Sequence, residues 1–420
     1  MIQDWRNKKE LYPVIWRYLF SLRIFFISLF TVCCLMGCQA PQEKGKKGLF
    51  LQQDSSHTNI DFINQLQETD SLNILDYLYF YNGAGVAAGD LDKDGYTDLF
   101  FVSNQGGNKL YLNNGNFSFK DISAEAGVEG FSDWQTGVTM ADVNGDGWLD
   151  IYVCAVGGYK GLKGVNELYI NNGLDINGQL SFTESAAEYG LDFTGFSTQA
   201  AFFDYDKDGD LDMYLLNHAV HTSKSYERAS NRNILDKKSG DYLFENQLVS
   251  SGGTMGNGTA LKFKDVTQEA GIFQAAMGYG LGVVVADFNN DGWDDIYVAN
   301  DFHEDDYYYV NQGDGTFLER GKDKFKHFSR FSMGCDAADM NNDGFLDLIT
   351  VDMYPKDEVV LKSSVGEDPF DIFNYKLRRV YFYQYSRNCL QLNLSGEKIC
   401  RCRDNGRSFC HRLELEPSHS

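Results

Sequence analysis

Between residues 55 and 396 the chain alternates short apolar runs with short polar, glycine-bearing turns. Runs such as GVAAG before Asp90 and GVVVA before Asp287 lead into a polar loop. Runs such as DLFFVSN from Asp98 and DIYVAN from Asp295 leave it. A third run carries the pattern L-Y-x-N: NKLYLNNG from Asn108 and NELYINNG from Asn166, with looser forms YLFEN from Tyr242 and YYYVNQG from Tyr307. A fourth carries F-x-[DE], starting at Phe119, Phe182 and Phe263. Runs this short, rich in β-branched and aromatic residues and punctuated by Gly and Asn, predict strands rather than helices. Four strands per roughly 50 residues is the blade unit of a β-propeller. Sandwich domains need nearer 100 residues each, and β-helix repeats are much shorter.

The loops between the first and second strands are the most regular feature. They read DLDKDGYTDL from Asp90, DVNGDGWLDI from Asp142, DYDKDGDLDM from Asp204, DFNNDGWDDI from Asp287 and DMNNDGFLDL from Asp339. Positions 1, 3, 5 and 9 always carry a carboxylate or an amide. These are Asp90, Asp92, Asp94 and Asp98 in the first loop, and Asp142, Asn144, Asp146 and Asp150 in the second. The third has Asp204, Asp206, Asp208 and Asp212, the fourth Asp287, Asn289, Asp291 and Asp295, and the fifth Asp339, Asn341, Asp343 and Asp347. Position 6 is always Gly, where a sharp turn would strain any Cβ. Position 7 varies through Tyr96, Trp148, Asp210, Trp293 and Phe345, as fits a residue lending only its carbonyl.

Oxygen donors at alternate positions suit Ca²⁺, which takes six to eight oxygens in flexible geometry. A hairpin turn needs no such carboxylates, and crowding them without a cation is repulsive. An EF-hand would close with Glu at position 12; here that position holds Phe101, Val153, Leu215, Val298 and Thr350. The expectation is about five fixed structural Ca²⁺ sites rather than a calcium switch.

On these residues the chain resembles the FG-GAP/VCBS repeats of integrin-α-type propellers. The stretches NILDYLYFYNGAGVAAGDLDKDG and DMYPKDEVVLKSSVGEDPFDIFNYKLRR are similar to surface lipoproteins of Bacteroidota-like bacteria, related to the ASPIC/UnbV and cartilage-acidic-protein group. The resemblance implies an all-β fold, a β-propeller of about seven four-stranded blades. Five loops are present, and the C-terminal module of that group is not recognisable, so the expected propeller is short of blades.

The ends set the context. Five basic residues precede the apolar run Ile24–Met36, which ends in Leu-Met-Gly-Cys38. Residues 1–37 read as a lipoprotein signal peptide, Cys38 as the lipidated residue and 38–54 as a linker. That predicts an exported chain, lipid-anchored at the outer membrane or surface of a Gram-negative bacterium. Residues 397–420 break the pattern and are rich in Cys. Cys389, Cys400, Cys402, Cys410 and His411 match no standard zinc spacing. Deleting one base near codon 398 allows KFADVGIMAGVSATDWSWSPL, which restores the F-x-D pattern; the reading is a frameshifted, truncated end.

The net charge of -23 becomes -26 once a leader of five basic and two acidic residues is removed. Seventeen of the acids sit at positions 1, 3, 5 and 9 of the five loops. A chain this acidic is not suited to nucleic acid, which selects clustered Lys and Arg. No P-loop, H-E-x-x-H or G-x-S-x-G motif occurs. The leading expectation is a non-enzymatic, surface-tethered module binding glycan or protein. The alternatives are a calcium-dependent polysaccharide lyase or hydrolase, and adhesion through an open metal position. Asn104, Asn217, His218, Asn300, Asp301 and Asp352 collect at exit-strand ends, where they could converge as a ligand surface around a central channel. His218-x-x-His221 alternates faces of a strand and is not expected to pair on a metal. Tyr307, Tyr308 and Tyr309 alternate likewise and are expected to pack, as is the glycine-rich GYGLG from Gly278.

Overall fold

In the computed structural model, residues 50–220, 229–247, 262–353, 355, 357–364, 368–394 and 399–401 are described. Residues 1–37, expected as a signal peptide, Cys38, most of the expected linker and the tail beyond residue 401 lie outside them, as does His221. Residues from Ser55 onward form one unit, separate from an amino-terminal one.

Five four-stranded antiparallel sheets follow one another, each in chain order. The first holds β1 (Val86–Gly89), β2 (Asp98–Phe101), β3 (Lys109–Asn113) and β4 (Phe119–Asp121). The second holds β5 (Gln135–Ala141), β6 (Asp150–Ala155), β7 (Glu167–Leu174) and β8 (Leu180–Glu184). The third holds β9 (Ser197–Phe203), β10 (Asp212–Asn217), β11 (Tyr242–Asn246) and β12 (Phe263–Asp265). The fourth holds β13 (Gly280–Ala286), β14 (Asp295–Asn300), β15 (Tyr307–Asn311) and β16 (Phe317–Glu319). After a short β17 (Phe328–Ser329), the fifth holds β18 (Ser332–Ala338), β19 (Asp347–Asp352), β21 (Cys389–Asn393) and β22 (Ile399–Arg401). Its long β19–β21 connection carries helices Glu358–Ser364 and Phe370–Arg378, and β20 (Gln384–Tyr385), which pairs with β17 in parallel. The architecture is all-β and blade-like.

The second strands explain why the blades stack. β6, β10 and β14 read DIYVCA, DMYLLN and DIYVAN and are buried at every residue. Alternation sends Ile151 and Val153 into a core shared with the first blade. Tyr152 and Cys154 enter the next core, shared with the third blade. The same division repeats at β10, with Tyr214 and Leu216 facing the fourth blade, and at β14, with Tyr297 and Ala299 facing the fifth. Each core therefore lies between two blades, so no blade buries its strands alone. The innermost strands pack closely enough to demand glycine: a Cβ on Gly137 would lie 2.2 Å from Thr198 O, and one on Gly282 would lie 2.8 Å from Gly334 Cα.

Tyr307, Tyr308 and Tyr309 are all buried, as a packing role requires. Cys154 is buried and Cys335 half-buried. Residues 399–401 were expected to break the repeat, but they pair as the outer strand of the fifth blade. Ile399 stands opposite Asn393, the register that Phe119, Phe263 and Phe317 hold opposite Asn113, Asn246 and Asn311. Arg401 thus takes the register of Asp121, Asp265 and Glu319. Backbone pairing tolerates the change of residue, so strand geometry outlasts the motif.

Candidate metal loops and the blade ends

The five carboxylate loops share one backbone. Position 6 lies at positive φ throughout: Gly95 at 90°, Gly147 at 88°, Gly209 at 102°, Gly292 at 91° and Gly344 at 90°. Position 4 is also left-handed, in Lys93, Gly145, Lys207, Asn290 and Asn342. Gly145, Asn290 and Asn342 suit this second turn, whereas the lysines of the first and third loops carry no left-handed preference.

These turns wrap the amide of position 5 back towards positions 1 and 3. Asp94 N donates to Asp90 Oδ1 at 3.1 Å and to Asp92 Oδ1 at 3.2 Å, and Gly95 N donates to Asp90 Oδ2 at 3.0 Å. The loops starting at Asp142, Asp287 and Asp339 repeat all three bonds. The third loop departs from this. Asp208 N reaches Asp206 Oδ1, and Asp204 Oδ1 is left buried without a hydrogen-bond partner.

Carboxylate oxygens of Asp90, Asp92 and Asp98 lie within 4.8 Å of one another, as do those of Asp204, Asp206 and Asp208. Burial raises the carboxyls of Asp92 and Asp206, with neighbouring loop carboxylates adding to the rise. These donor sets fit a hard divalent cation: all-oxygen, crowded, repulsive when bare, and in the third loop short of one partner.

Position 9 does more than close the loop. Asp98, Asp150, Asp212, Asp295 and Asp347 are all essentially buried. Each receives through Oδ1 the backbone N–H of an asparagine on the third strand: Asn113, Asn171, Asn246, Asn311 and Asn393. Through Oδ2 four of them receive the N–H of position 2 in their own loop. Asp295 instead receives the hydroxyl of Tyr308 at 2.6 Å. Burial pushes Asp98 up to about 6, Asp150 and Asp295 to about 7 and Asp212 to about 8, against the pull of those donors.

The same asparagines connect the blades. Asn171 Nδ2 donates to Leu91 O in the preceding loop at 3.0 Å, and to Leu149 O in its own at 3.1 Å. Asn246 bridges Val143 O and Leu211 O, Asn311 bridges Tyr205 O and Asp294 O, and Asn393 bridges Phe288 O and Leu346 O. The terminal Asn of L-Y-x-N is therefore a staple between successive loops. Side chains at the loop tips reinforce it. Lys93 Nζ sits 4.0 Å from the ring centre of Trp148, and Lys207 Nζ 4.3 Å from that of Trp293. In these two loops position 7 thus contributes its ring.

The opposite blade ends depart from expectation. Asn104, Asn217 and Asn300 are buried, and their amides are spent on backbone carbonyls. Asn104 Nδ2 donates to Gln135 O at 2.7 Å, Asn217 Nδ2 to Gly240 O at 2.6 Å and Asn300 Nδ2 to Asp305 O at 3.0 Å. Asp301 is buried and accepts the hydroxyl of Tyr79, and Asp352 accepts from Ser329 Oγ and Phe331 N. Segments not legible as repeats cover Asn104, Asn217, Asn300 and Asp301, while Asp352 is half-buried and ties down the end of a neighbouring strand. Of the six, His218 lines a cavity.

The main cover is the segment before the first blade. Tyr77, Tyr79 and Phe80 pack with Trp134, Val156, Phe196 and Tyr279, drawn from the second to fourth blades. Tyr77 Oη meets His218 Nε2 at 3.0 Å, and Thr198 Oγ1 meets its Nδ1 at 3.1 Å. Burial lowers the His218 imidazole to about 3, so it stays neutral. Beside this plug lies a cavity of about 570 Å³. Its walls include Tyr81, Trp134, Thr136, Gln199, His218 and Met333, so it is aromatic and hydrogen-bonding with no formal charge.

A second cover is ionic. Arg232 binds Glu304, and Asp305 at 2.8 Å; Lys322 also reaches Asp305 at 3.1 Å. Tyr307 Oη donates to Glu304 at 2.8 Å and Phe382 N to Asp305 at 2.9 Å. The acidic run Glu304-Asp305-Asp306 announces this cluster in sequence, but its partners come from distant segments.

Comparison with known proteins agrees with the loop pattern. The family described as FG-GAP-like repeat matches residues 90–153 and 287–350. Cartilage acidic protein 1 of Mus musculus is 28% identical over 220 residues, 52% of this chain and 29% of that protein. The Homo sapiens protein is 27% identical over 224 residues, covering 53% and 28%. The matched region spans less than a third of the length of these relatives. A solved Agrocybe aegerita lectin that recognises non-reducing terminal N-acetylglucosamine aligns over 75% of this chain and 64% of its own, at 16% identity and a TM-score of 0.37. The V. cholerae biofilm matrix protein Bap1 aligns over 64% and 34%, at 14% identity and a TM-score of 0.31.

Proposed function

We propose, from the FG-GAP-like repeats as premise, that this chain is a calcium-stiffened blade scaffold that binds glycan or protein outside the cell without chemical turnover. The observation that carries the reading is the set of five loops with one backbone and oxygen donors at positions 1, 3, 5 and 9. Asp90, Asp92, Asp94 and Asp98 and their four sets of counterparts would hold the ions. Ca²⁺ would supply the positive charge that these crowded carboxylates lack. The uncharged, aromatic cavity beside His218 offers a place for a neutral ligand rich in hydroxyls. The apolar run ending at Cys38 supports export and lipid anchoring at the cell surface.

Calcium titration of chelated protein, followed by calorimetry and melting, tests the scaffold reading. Saturable binding with a melting temperature that climbs with free Ca²⁺ is the expected result, since a ligand of the folded state alone stabilises it. A flat melting temperature overturns it. A glycan array then tests the ligand class, with retention of unmodified glycan expected and unsaturated or shortened product counting against a purely binding role.

A further inference from the structure

The cavity of about 570 Å³ beside His218 takes its wall from every blade. Ala84 stands just ahead of β1, and Thr136, Gln199, Leu281 and Met333 come from β5, β9, β13 and β18. We propose that it binds two successive neutral pyranose rings of a glycan, and that the bound glycan ties the first blade to the fifth. This rests on the binding-module reading and names both the ligand and its structural effect.

The volume lies inside the range of about 300–1,000 Å³ for small-molecule sites and leaves room for a second ring. Tyr81 is 60% exposed, yet its hydroxyl donates to Glu68 at 2.7 Å and its ring stands edge to face with Phe80 at 5.0 Å. An exposed ring held in this way suits the apolar C–H face of a pyranose. Polar groups remain for the sugar hydroxyls. Gln199 Nε2 donates to Val138 O and Thr139 Oγ1, both at 3.3 Å, while its Oε1 has no partner among the described residues. The side-chain amide of Asn82 and the backbone N–H and C=O of Ala84 are likewise unpaired among them. His218 gives the ligand a ring only, since Tyr77 and Thr198 engage both its nitrogens.

Neutrality follows from the charges around the wall. No charged residue lines the cavity. Acids stand behind it: Glu68 accepts the hydroxyl of Tyr81, and Asp301 that of Tyr79. A ligand carboxylate would be repelled by them, with no lysine or arginine in the lining to answer it. The smaller pocket, of about 260 Å³ beside helix Phe370–Arg378, instead carries Arg330, Asp368 and Lys376 in its wall.

The link between blades follows from where strand packing stops. The first strands pack in series, β1 on β5, β5 on β9, β9 on β13 and β13 on β18. Among the described residues no comparable packing joins β18 to β1. Met333 and Met353 of the fifth blade nevertheless share the cavity with Tyr81 and Ala84 ahead of the first. A ligand spanning it supplies a connection that the strands do not.

The test uses the full chain in calcium. Cellobiose, maltose and lactose are the neutral two-ring probes, glucose and galactose the single rings, and cellobiuronic acid the anionic disaccharide. Saturation-transfer NMR and calorimetry should show at least one neutral disaccharide binding about tenfold or more tighter than the single rings and the acid. Tyr81→Ala and Met353→Ala, at exposed positions on the two flanks, should each weaken that binding about tenfold and leave the free protein's melting temperature in place. With the disaccharide bound, hydrogen exchange should slow in β1 and β18 together. No binding of any neutral disaccharide, equal or tighter binding of the acid or a single ring, indifference to either variant, or slowing in one of the two strands alone overturns the proposal. Glycans retained on an array equally by both variants would overturn this site and leave the binding module standing. A flat calcium melting curve, beside disaccharide binding that both variants weaken, would remove the calcium reading and keep this site.

Discussion

The two ends of each blade are built on opposite rules. At the loop end, the same few residues recur five times, acids or amides at alternate positions and glycine at position 6, and four asparagine staples reach the preceding loop. At the exit-strand end, the strand ends repeat, as in the amides of Asn104, Asn217 and Asn300, but what covers them does not. That end is finished by single-copy parts: the Tyr77–Phe80 plug, the ionic cluster around Arg232, and helix Phe370–Arg378. The loop end repeats because every blade meets the same problem, a tight turn carrying clustered charge. The other end varies because each strand exit must be covered by whichever segment the chain brings there.

The largest expected effect divides the two ends directly. Chelation should lower the melting temperature by many degrees, and hydrogen exchange should quicken first in the loops around Asp90 to Asp347 while the Tyr77 plug stays protected. Equal loss of protection at both ends would erase the distinction.

Next in size is the ionic cover. Arg232→Ala leaves Glu304 and Asp305 buried without their shared guanidinium, at a cost of about 3–5 kcal/mol. Urea unfolding should show it with or without calcium.

The staple should cost less. Asn311→Ala strips an amide donor from Tyr205 O and Asp294 O, worth about 1–3 kcal/mol. The loss should persist after chelation, because the staple binds carbonyls and not the ion.

A last effect is read as a slope with pH and concerns a buried acid that one blade carries where another has an amide. Asp241 accepts from Asn217 N and from the hydroxyl of Tyr214; at the equivalent place Asn166 accepts from Ala155 N through Oδ1 and donates through Nδ2 to the hydroxyl of Tyr152. Burial raises Asp241 to about 7. The folded state therefore holds its proton more tightly than the unfolded chain, and stability falls as pH rises from about 4 to about 7. Asp241→Asn should remove that slope, leaving stability near pH 4 unchanged and raising it at pH 8. An Asn variant less stable at pH 8 would refute the equivalence of the two positions.

Much of the loop end was legible before any coordinates. Alternation placed the strands, and the D-x-[DN]-x-D-G pattern placed the turns, because both are set by residues close together in the chain. The roles of Asn171, Asn246, Asn311 and Asn393 were visible only as a recurring letter. In all four inter-blade bonds, to Leu91, Val143, Tyr205 and Phe288, the partner lies 80 or more residues away. Asn104, Asn217 and Asn300 were misread as ligand-facing, because the segments that bury them carry no repeat signal.

Local chemistry in the sequence determined the four-strand unit, the carboxylate loops and the need for stacked neighbours, since strand periodicity and turn strain act over a few residues. Tertiary structure alone decided which polar residues face solvent and which join the ionic cluster. It also decided where two pockets open. Burial depends on what a distant segment covers, and spacing along the chain does not encode that.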